Sequence, residues 1–219
     1  MGDVSGQCNI ENVTQEKDLG VIIDNELKFN EHIAQKVKKA NQALGMIRNT
    51  FANLDRDIFL PLYKAFVRPH LEYASVVWTP QYKKDIISIE NVQRRATKLV
   101  TGLKDSSYED RLKSLGIPTL YYRRNRADMI QLYKIMNGFD KVHIQNITLA
   151  GDTVTRGHQF KLHKNQDRSK FGQGRFSSRV VGPWNSLMDS TVGAPSVNSF
   201  KSQINKDWKL KPNKFSPVG

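Results

Sequence analysis

Carboxylate side chains that could hold a metal ion or transfer protons are few and isolated in this 219-residue chain. The tightest pair, Asp55 and Asp57, directly precedes an apolar helical pattern, where a carboxylate caps a helix and complements its dipole. Asp18 and Asp24 bracket a short apolar run, with no third carboxylate beside them. We therefore interpret all four as capping, turn or edge residues, and the sequence predicts no catalytic carboxylate site.

Residues that commonly bind metals show no ligand spacing. His158 and His163 lie in a polar stretch without cysteine, and the other histidines are scattered along the chain. The lone Cys8 excludes both an intramolecular disulfide and a zinc site built on several thiolates. The sequence thus predicts no metal site and no resident cofactor.

Basic side chains have the clearest potential chemistry, because they can bind phosphate groups. The chain has 34 Lys and Arg against 21 Asp and Glu, a net charge of +13. Residues 1–60 hold 7 basic and 9 acidic side chains, whereas residues 61–219 hold 27 and 12. Counterion release makes such a field attractive to nucleic-acid backbones, either DNA or RNA. This distribution predicts that the basic surface belongs to the later segments.

The spacing of apolar residues predicts the elements that position these side chains. Leu19–Ile23 is short, rich in β-branched residues and followed by a turn signal, which predicts one buried strand. Asn30 is the predicted N-cap of a helix whose apolar stripe extends from Ile33 to Phe51. Further helices are predicted over residues 58–68, 69–78, 84–100, 108–115, 120–137 and 197–208, with caps at Asp55, Ser107, Gly116, Gly138 and Ser196.

Two of these helices carry basic residues opposite their apolar side; on the first helix, Lys36 borders the apolar stripe and Lys39 lies farther round. At about 100° per residue, the basic residues of the predicted helices 84–100 and 120–137 fall on the face opposite the buried stripe. Phosphate contact and a plain solvated helix face are both open at this point. The candidate nucleic-acid-binding residues are Lys36, Lys39, Arg94, Arg95, Lys98, Arg123 and Arg124. Tyr121, Tyr122 and Tyr133 could stack on bases, but aromatic residues at helical spacing are typical of a core.

Composition divides the chain into four regions. Residues 1–29 contain the strand, and residues 30–138 contain the run of predicted helices. Gly, Ser, Asn and Lys dominate residues 139–175, which predicts a loosely structured connector. Apolar residues return in 176–219, which predicts a small C-terminal module with Trp184 and Trp208 in its core. The predicted fold class is mainly α.

Several ordered motifs resemble one protein family. They are Glu16–Asp24 (EKDLGVIID), Leu62–Ala74 (LYKAFVRPHLEYA) followed by Val77 and Trp78, and Ile89–Lys98 (IENVQRRATK). Arg175–Arg179, Trp184–Leu187 and Ser199–Lys201 continue the series. Together they look like the C-terminal part of reverse transcriptases of non-LTR, LINE-type retrotransposons, with the jockey and chicken-repeat clades nearest. The resemblance covers nearly the whole chain, in order.

The resemblance implies a set of functional expectations. Leu19, Gly20 and Val21 would belong to a strand of the primer-grip region, the following helices to a thumb, and the rest to a C-terminal extension. A thumb holds an RNA–DNA template–primer by its backbone. The metal-binding palm carboxylates are not found in this sequence, so Mg²⁺ is expected only with a palm domain, a possible partner. We therefore expect a fragment, an isolated domain or a decayed copy without polymerase activity of its own.

A different class of function is also open. The chain could be a helical protein-interaction module, or a non-functional remnant, that associates through the apolar stripe Ile33–Phe51 and the unpaired strand edge. No window approaches the roughly 18 apolar residues of a membrane helix, and the N-terminus has no signal-peptide pattern. A nuclear or cytoplasmic protein that is not secreted, with no membrane or small-molecule partner, is expected.

Overall fold

The structure is a computed structural model that describes residues 13–142, 144, 147–151, 158–164, 172, 174–209 and 214–215. It is mainly helical, as predicted. The strands are β1 (Gln15–Asp18) and β2 (Val21–Asp24); the helices are α1 (Asn30–Thr50), α2 (Arg56–Leu62), a π-helical segment (Tyr63–Val67), α3 (Arg68–Glu72), α4 (Ser75–Trp78), α5 (Lys83–Thr97), α6 (Tyr108–Leu115), α7 (Leu120–Met136), α8 (Phe176–Arg179), α9 (Val181–Asn185), α10 (Asp189–Val192) and α11 (Val197–Asp207). Among the described residues, none of these helices has both the length and the apolar character needed to cross a bilayer.

The N-terminal strand is one half of a hairpin. Strands β1 and β2 pair antiparallel, and Leu19 and Gly20 form the two-residue turn with φ of 43° and 81°. Two positive φ values are typical of a type I′ turn, whose twist matches a hairpin. The prediction of a single strand beginning at Leu19 was therefore wrong, because the apolar run starts inside the turn. The strand edge expected to be unpaired is joined to β1.

Helix α1 begins differently from the prediction. Asn30 does not cap it; Phe29, with φ 57°, precedes the first turn and makes no side-chain cap. The Asp24 carboxylate instead accepts the backbone N–H groups of Glu26, Lys28 and Phe29, the last at 2.6 Å. Burial opposes ionisation of this carboxylate, but the three amides together hold the pKa of Asp24 below its usual value. Asp24 thus fixes the path from the hairpin into α1.

The apolar stripe of α1 is covered within the chain. Ile33 and Leu44 are buried, and α1 packs on α5, α3 and the π-helical segment. The expectation that this stripe is an exposed docking surface was wrong, because these helices fill the positions that a partner would occupy.

The helices after Asp55 are continuous through Pro69. Residues Tyr63–Val67 form a π-helical segment that leads directly into α3. The predicted boundary between two helices at Pro69 is therefore absent. Proline lacks a backbone N–H and clashes with the carbonyl four residues earlier, and a widened π turn relieves that conflict. The break comes instead at Ala74, whose φ is 52°.

Most predicted caps are confirmed. The side chains of Asp55, Ser107 and Ser196 accept N–H groups at the starts of α2, α6 and α11. Gly116 follows α6 with φ 68°, and Gly138 lies beyond α7 with φ 70°. Local sequence signals therefore define these helix ends correctly.

Two apolar cores share helix α7. The first contains residues from the hairpin through Leu120, including Trp78, and the second joins the rest of α7 to the C-terminal helices. Trp78, Trp184 and Trp208 are all buried, as predicted, and so are Tyr122 and Tyr133. Helix α7 is the element that connects the two cores.

Part of the predicted connector is attached to the second core. The Asn185 side chain accepts the N–H of Leu162 and donates to its carbonyl, at 2.8 and 2.9 Å. The indole of Trp184 donates to the Phe160 carbonyl at 2.9 Å, and Leu162 also makes an isolated antiparallel bridge to Leu149. Phe160 and Leu162 therefore have defined partners in the second core. These contacts do not test the boundaries of the four regions, which stay predictions.

Candidate nucleic-acid interface

The predicted basic face of α7 is not an open, solvent-exposed face. Arg124 is only 2% exposed, which contradicts its placement on an open face. Arg123 forms a bidentate ion pair with Glu72 of α3, with Nη2 at 2.9 Å from Oε2. Both side chains turn inward because α3 and α4 pack against α7 on the side that helical periodicity left open.

The predicted basic face of α5 is partly engaged. The Arg94 guanidinium lies over the Tyr108 ring at 4.5 Å, and it is half-buried. Arg95 donates to the side chain of Asn41 on α1 at 2.9 Å, and Lys98 is exposed. The structure therefore places Arg95 and Lys98 at the surface, whereas Arg94 is held by an aromatic ring.

The hairpin turn lies beside an exposed tyrosine of the α3–α4 junction. The Tyr73 hydroxyl donates to the Leu19 carbonyl at 3.0 Å. The space beside Gly20 is bounded by the Tyr73 ring, because a Cβ there would lie 3.8 Å from Cε1. Leu19 is 83% exposed and Tyr73 is 54% exposed. The turn thus presents an apolar and an aromatic side chain to solvent.

Four cationic or titratable side chains gather around this turn. The Lys36 ammonium lies 5.8 Å from the centre of the Tyr73 ring. Burial, and then the charges of Lys39 and Lys17, lower the pKa of Lys36 below its usual value. Burial together with Lys36 and Lys39 likewise lowers the pKa of His70 on α3. Like charges disfavour one another's ionised forms, so an anion bound among them would relieve the repulsion.

We name this surface the turn patch: Lys17, Leu19, Gly20, Lys36, Lys39, His70 and Tyr73. Of the residues predicted to bind nucleic acid, the structure brings Lys36 and Lys39 together with Leu19 and Gly20. Val21, the third predicted strand residue, is 5% exposed and belongs to the core.

A buried histidine holds the turn patch in position. His32 of α1 accepts the backbone N–H of Ile22 at its Nδ1 atom, 3.1 Å away. Its ring also contacts Trp78, with ring centres 5.0 Å apart, and the Trp78 indole donates to the Tyr73 carbonyl at 2.7 Å. Hairpin, α1 and the α3–α4 junction are therefore linked through one chain of contacts beneath the patch.

Sequence reasoning missed three members of the turn patch. Lys17 and His70 lie in different elements from Lys36, and no spacing rule connects them. Tyr73 belongs to a quoted motif, yet its exposure depends on the positive φ of Ala74, which the sequence does not signal. The one signal in the sequence was Lys17, a basic residue close to the turn.

The turn patch can bind anions and stack on planar groups. Lysine ammonium groups are strong phosphate ligands, and an exposed tyrosine ring can stack on a nucleobase. Among the described residues, no group of three or more His, Cys, Asp or Glu could hold a metal ion. The described part of the chain therefore offers no carboxylate cluster of the kind that holds Mg²⁺ for polymerisation.

Comparisons with known proteins give a limited result. No family profile matches the chain, and no solved structure matches it. An uncharacterized protein of Caenorhabditis elegans is 23% identical over 124 residues. The match covers 55% of this chain and 63% of that protein, so the chain spans less than two thirds of its relative's length.

Proposed function

We propose that this chain binds the phosphate backbone of nucleic acid through the turn patch. We further propose that its ligand is the RNA–DNA template–primer of a non-LTR reverse transcriptase, in which the chain serves as the thumb-like part. The observation that carries the proposal is the position of Tyr73, whose hydroxyl donates to Leu19 of the turn and whose ring lies beside Lys36 of α1. The motif that resembles a primer grip and the predicted lysines therefore meet on one surface.

The charges of the turn patch favour a polyanion over a single neutral ligand. Lys17, Lys36 and Lys39 come from β1 and α1, and burial, followed by repulsion from the other two lysines, lowers the pKa of Lys36. Successive phosphates of a strand could occupy several such positions at once, each with release of counterions. Contacts of this type fix position along the backbone and carry little base specificity.

The aromatic ring adds a second mode of contact. Tyr73 is exposed on one face while its hydroxyl is held by Leu19, so its orientation is fixed before any ligand binds. A ring fixed in advance loses little conformational entropy when a base stacks on it. Such stacking tolerates any sequence, which suits a protein that must follow a growing hybrid.

The test is a salt titration of hybrid binding. We would measure fluorescence anisotropy of a labelled RNA–DNA hybrid and of a DNA duplex of equal length, from about 50 to 200 mM salt, for the intact chain and for Lys36→Gln with Lys39→Gln. We expect the double variant to bind both nucleic acids more weakly and to lose about two units of salt slope. An unchanged slope would exclude the turn patch as the interface.

A matched control separates local contact from net charge. Lys38 lies on a different side of α1 from Lys36, and Lys104 is exposed in the loop before α6. The variant with Lys38→Gln and Lys104→Gln also loses two positive charges, but both of them lie outside the turn patch. We expect this variant to retain most of the salt slope. An equal loss in both double variants would show only a diffuse basic field.

A further inference from the structure

A second charged site lies apart from the turn patch, in a pocket over helix α7. The pocket has a volume of about 620 Å³ and opens between α3–α4 on one side and α11 with Lys214 on the other. Its charged lining residues are Glu72, Arg123, Arg124, Arg126 and Lys214. Four cations and one carboxylate therefore line a cavity that shares no residue with the turn patch.

The one carboxylate of the pocket is already neutralised. Glu72 is held by both nitrogens of the Arg123 fork and lies 3.5 Å from Arg68 on the same turn of α3. Because Arg123 and Glu72 cancel each other, Arg124, Arg126 and Lys214 provide a net positive field.

Arg124 is the buried cation of this pocket. Its terminal nitrogens Nη1 and Nη2 are shielded from solvent and have no hydrogen-bond partner among the described residues. A buried charge without a partner costs several kcal/mol, so such groups normally contact a counter-ion. Burial lowers the pKa of Arg124, although Glu90, Glu72 and Asp128 are near enough to oppose that effect.

The nearby carboxylates are each committed to other donors. Glu90 accepts the Tyr108 hydroxyl at 2.6 Å and the Leu120 N–H at 3.1 Å, where it caps α7. Asp128 is bound by Arg179 at 2.8 Å. Arg124 therefore feels the field of these carboxylates without a direct hydrogen bond to them. Low-dielectric walls lined by one sign of charge concentrate such a field.

We propose that this pocket binds a phosphate monoester of nucleotide size, with the phosphate held by Arg126 and Lys214 above the buried charge of Arg124. A volume of about 620 Å³ is in the range of small-ligand sites, and Ala127 and Ile130 supply apolar floor beside the cations. A monoester carries more negative charge than a backbone diester, which suits a site lined by three cations besides the Arg123–Glu72 pair. The source is either a free nucleotide or the 5′-phosphate of a strand end.

The first test uses adenosine 5′-monophosphate as the probe. We would titrate it into the full chain by isothermal titration calorimetry at constant ionic strength, with adenosine and inorganic phosphate in parallel. We expect saturable one-to-one binding of the monophosphate and none of adenosine. Absence of monophosphate binding, or equal binding of adenosine, would overturn the proposal because the phosphate would then not be what the pocket recognises.

Three variants locate the binding. Lys214→Gln and Arg126→Gln should each weaken monophosphate binding about tenfold, as expected for the loss of one charge-assisted contact. Arg124→Met should weaken it by a similar factor. Arg126 also bonds Asn205 and the Lys201 carbonyl, so Lys214→Gln is the variant with the smallest structural role. Lys104→Gln, which removes an exposed charge outside the pocket, should bind normally, and unchanged binding in all three pocket variants would refute the site.

A pair of pentanucleotides separates the two sources. Tighter binding of the 5′-phosphorylated strand than of the unphosphorylated strand, lost in Lys214→Gln, would assign the pocket to strand ends. Monophosphate binding with no difference between the pentanucleotides would assign it to free nucleotides. Because the pocket and the turn patch share no residue, failure here leaves hybrid binding by the turn patch untouched.

Discussion

Helix α7 and the turn patch use positive charge in opposite ways. On α7, Arg123 is paired with Glu72 and Arg124 is buried, so this helix offers little free charge on the predicted face. Around the hairpin turn, Lys36 and Lys39 repel one another, although residues 1–60 are net acidic. The number of basic residues in a segment therefore does not show whether they are available to a ligand.

The chemistry of the two cations explains the contrast. Arginine has a planar fork that matches a carboxylate or lies flat on an aromatic ring, as in the contacts of Arg123 with Glu72 and Arg94 with Tyr108. Lysine has a compact, strongly hydrated charge that gains less from a fixed partner. Helix packing therefore engages Arg94 and Arg123, whereas Lys36 and Lys39 of the turn patch remain for external anions.

The largest expected effect concerns an arginine that links the two cores. Arg179 of α8 binds Asp128 of α7 through two nitrogens and donates to the Val76 carbonyl at 2.6 Å. The Asp128 side chain is only 4% exposed, so Arg179→Met would leave a buried carboxylate without its partner. We expect a loss of about 3–5 kcal/mol in the free energy of unfolding, measured by urea denaturation.

A second substitution identifies the cause of that loss. Asp128→Asn in the Arg179→Met background removes the unpaired charge, and we expect it to recover part of the stability. For comparison, Lys39→Gln in the turn patch should change stability by no more than about 0.5 kcal/mol. Equal losses for Arg179→Met and Lys39→Gln would contradict the distinction between structural arginines and available lysines.

The next effect concerns the histidine beneath the turn patch. Burial, assisted by the charge of Lys36, lowers the pKa of His32 from 6.5 to about 4. The neutral ring accepts the Ile22 N–H, so the folded state resists protonation while the unfolded state does not. The contribution of neutral His32 to the free energy of unfolding is fully present above pH 6.5. It is lost as the pH falls towards 4, and the loss is at most about 3 kcal/mol.

The histidine prediction is checked by the difference between two proteins. His32→Asn keeps an acceptor near the position of Nδ1 but does not titrate in this range. We expect the unfolding free energy of the original chain to fall between pH 6.5 and 4 more steeply than that of the variant. Parallel pH profiles would mean that His32 ionises as easily in the folded state as in the unfolded state.

The sequence predicted local features better than it predicted which surfaces are open. Ser107, Asp55 and Ser196 cap helices as expected, because capping depends on residues three or four positions apart. The solvent-facing side of a helix depends on where later elements pack. Arg124 was expected outside because its own helix has a clear apolar face, but α3 and α4 cover the opposite face as well.

The candidate site shows the same limit. Lys36 and Lys39 were found from α1 alone, from their positions beside and farther round from its apolar stripe. Lys17 and Tyr73 could not be added, because their proximity depends on a hairpin register and on a left-handed residue at Ala74. Long-range contacts of this kind leave no periodic signal in the sequence.

A direct comparison of two double variants sharpens the choice between basic surfaces. Arg94→Ala with Arg95→Ala removes the predicted face of α5, and Lys36→Gln with Lys39→Gln removes the turn patch lysines. Because Arg94 is held over Tyr108, we expect the α5 variant to lose about one unit of salt slope and the α1 variant about two. Anisotropy titrations with the hybrid measure both, and the reverse order would move the interface to α5.

The smallest expected effect separates stability from binding at the hairpin turn. Leu19 has φ 43°, a conformation in which leucine is strained and asparagine is favoured, yet its side chain is 83% exposed and buries almost nothing. Leu19→Asn should therefore raise the free energy of unfolding by roughly 1 kcal/mol, measured by urea denaturation. If Leu19 and Tyr73 together contact bases, the same variant should bind the hybrid more weakly despite its greater stability. A stabilised variant with unchanged affinity would confine the interface to the lysines and Tyr73, since leucine at this position would then have no role in binding.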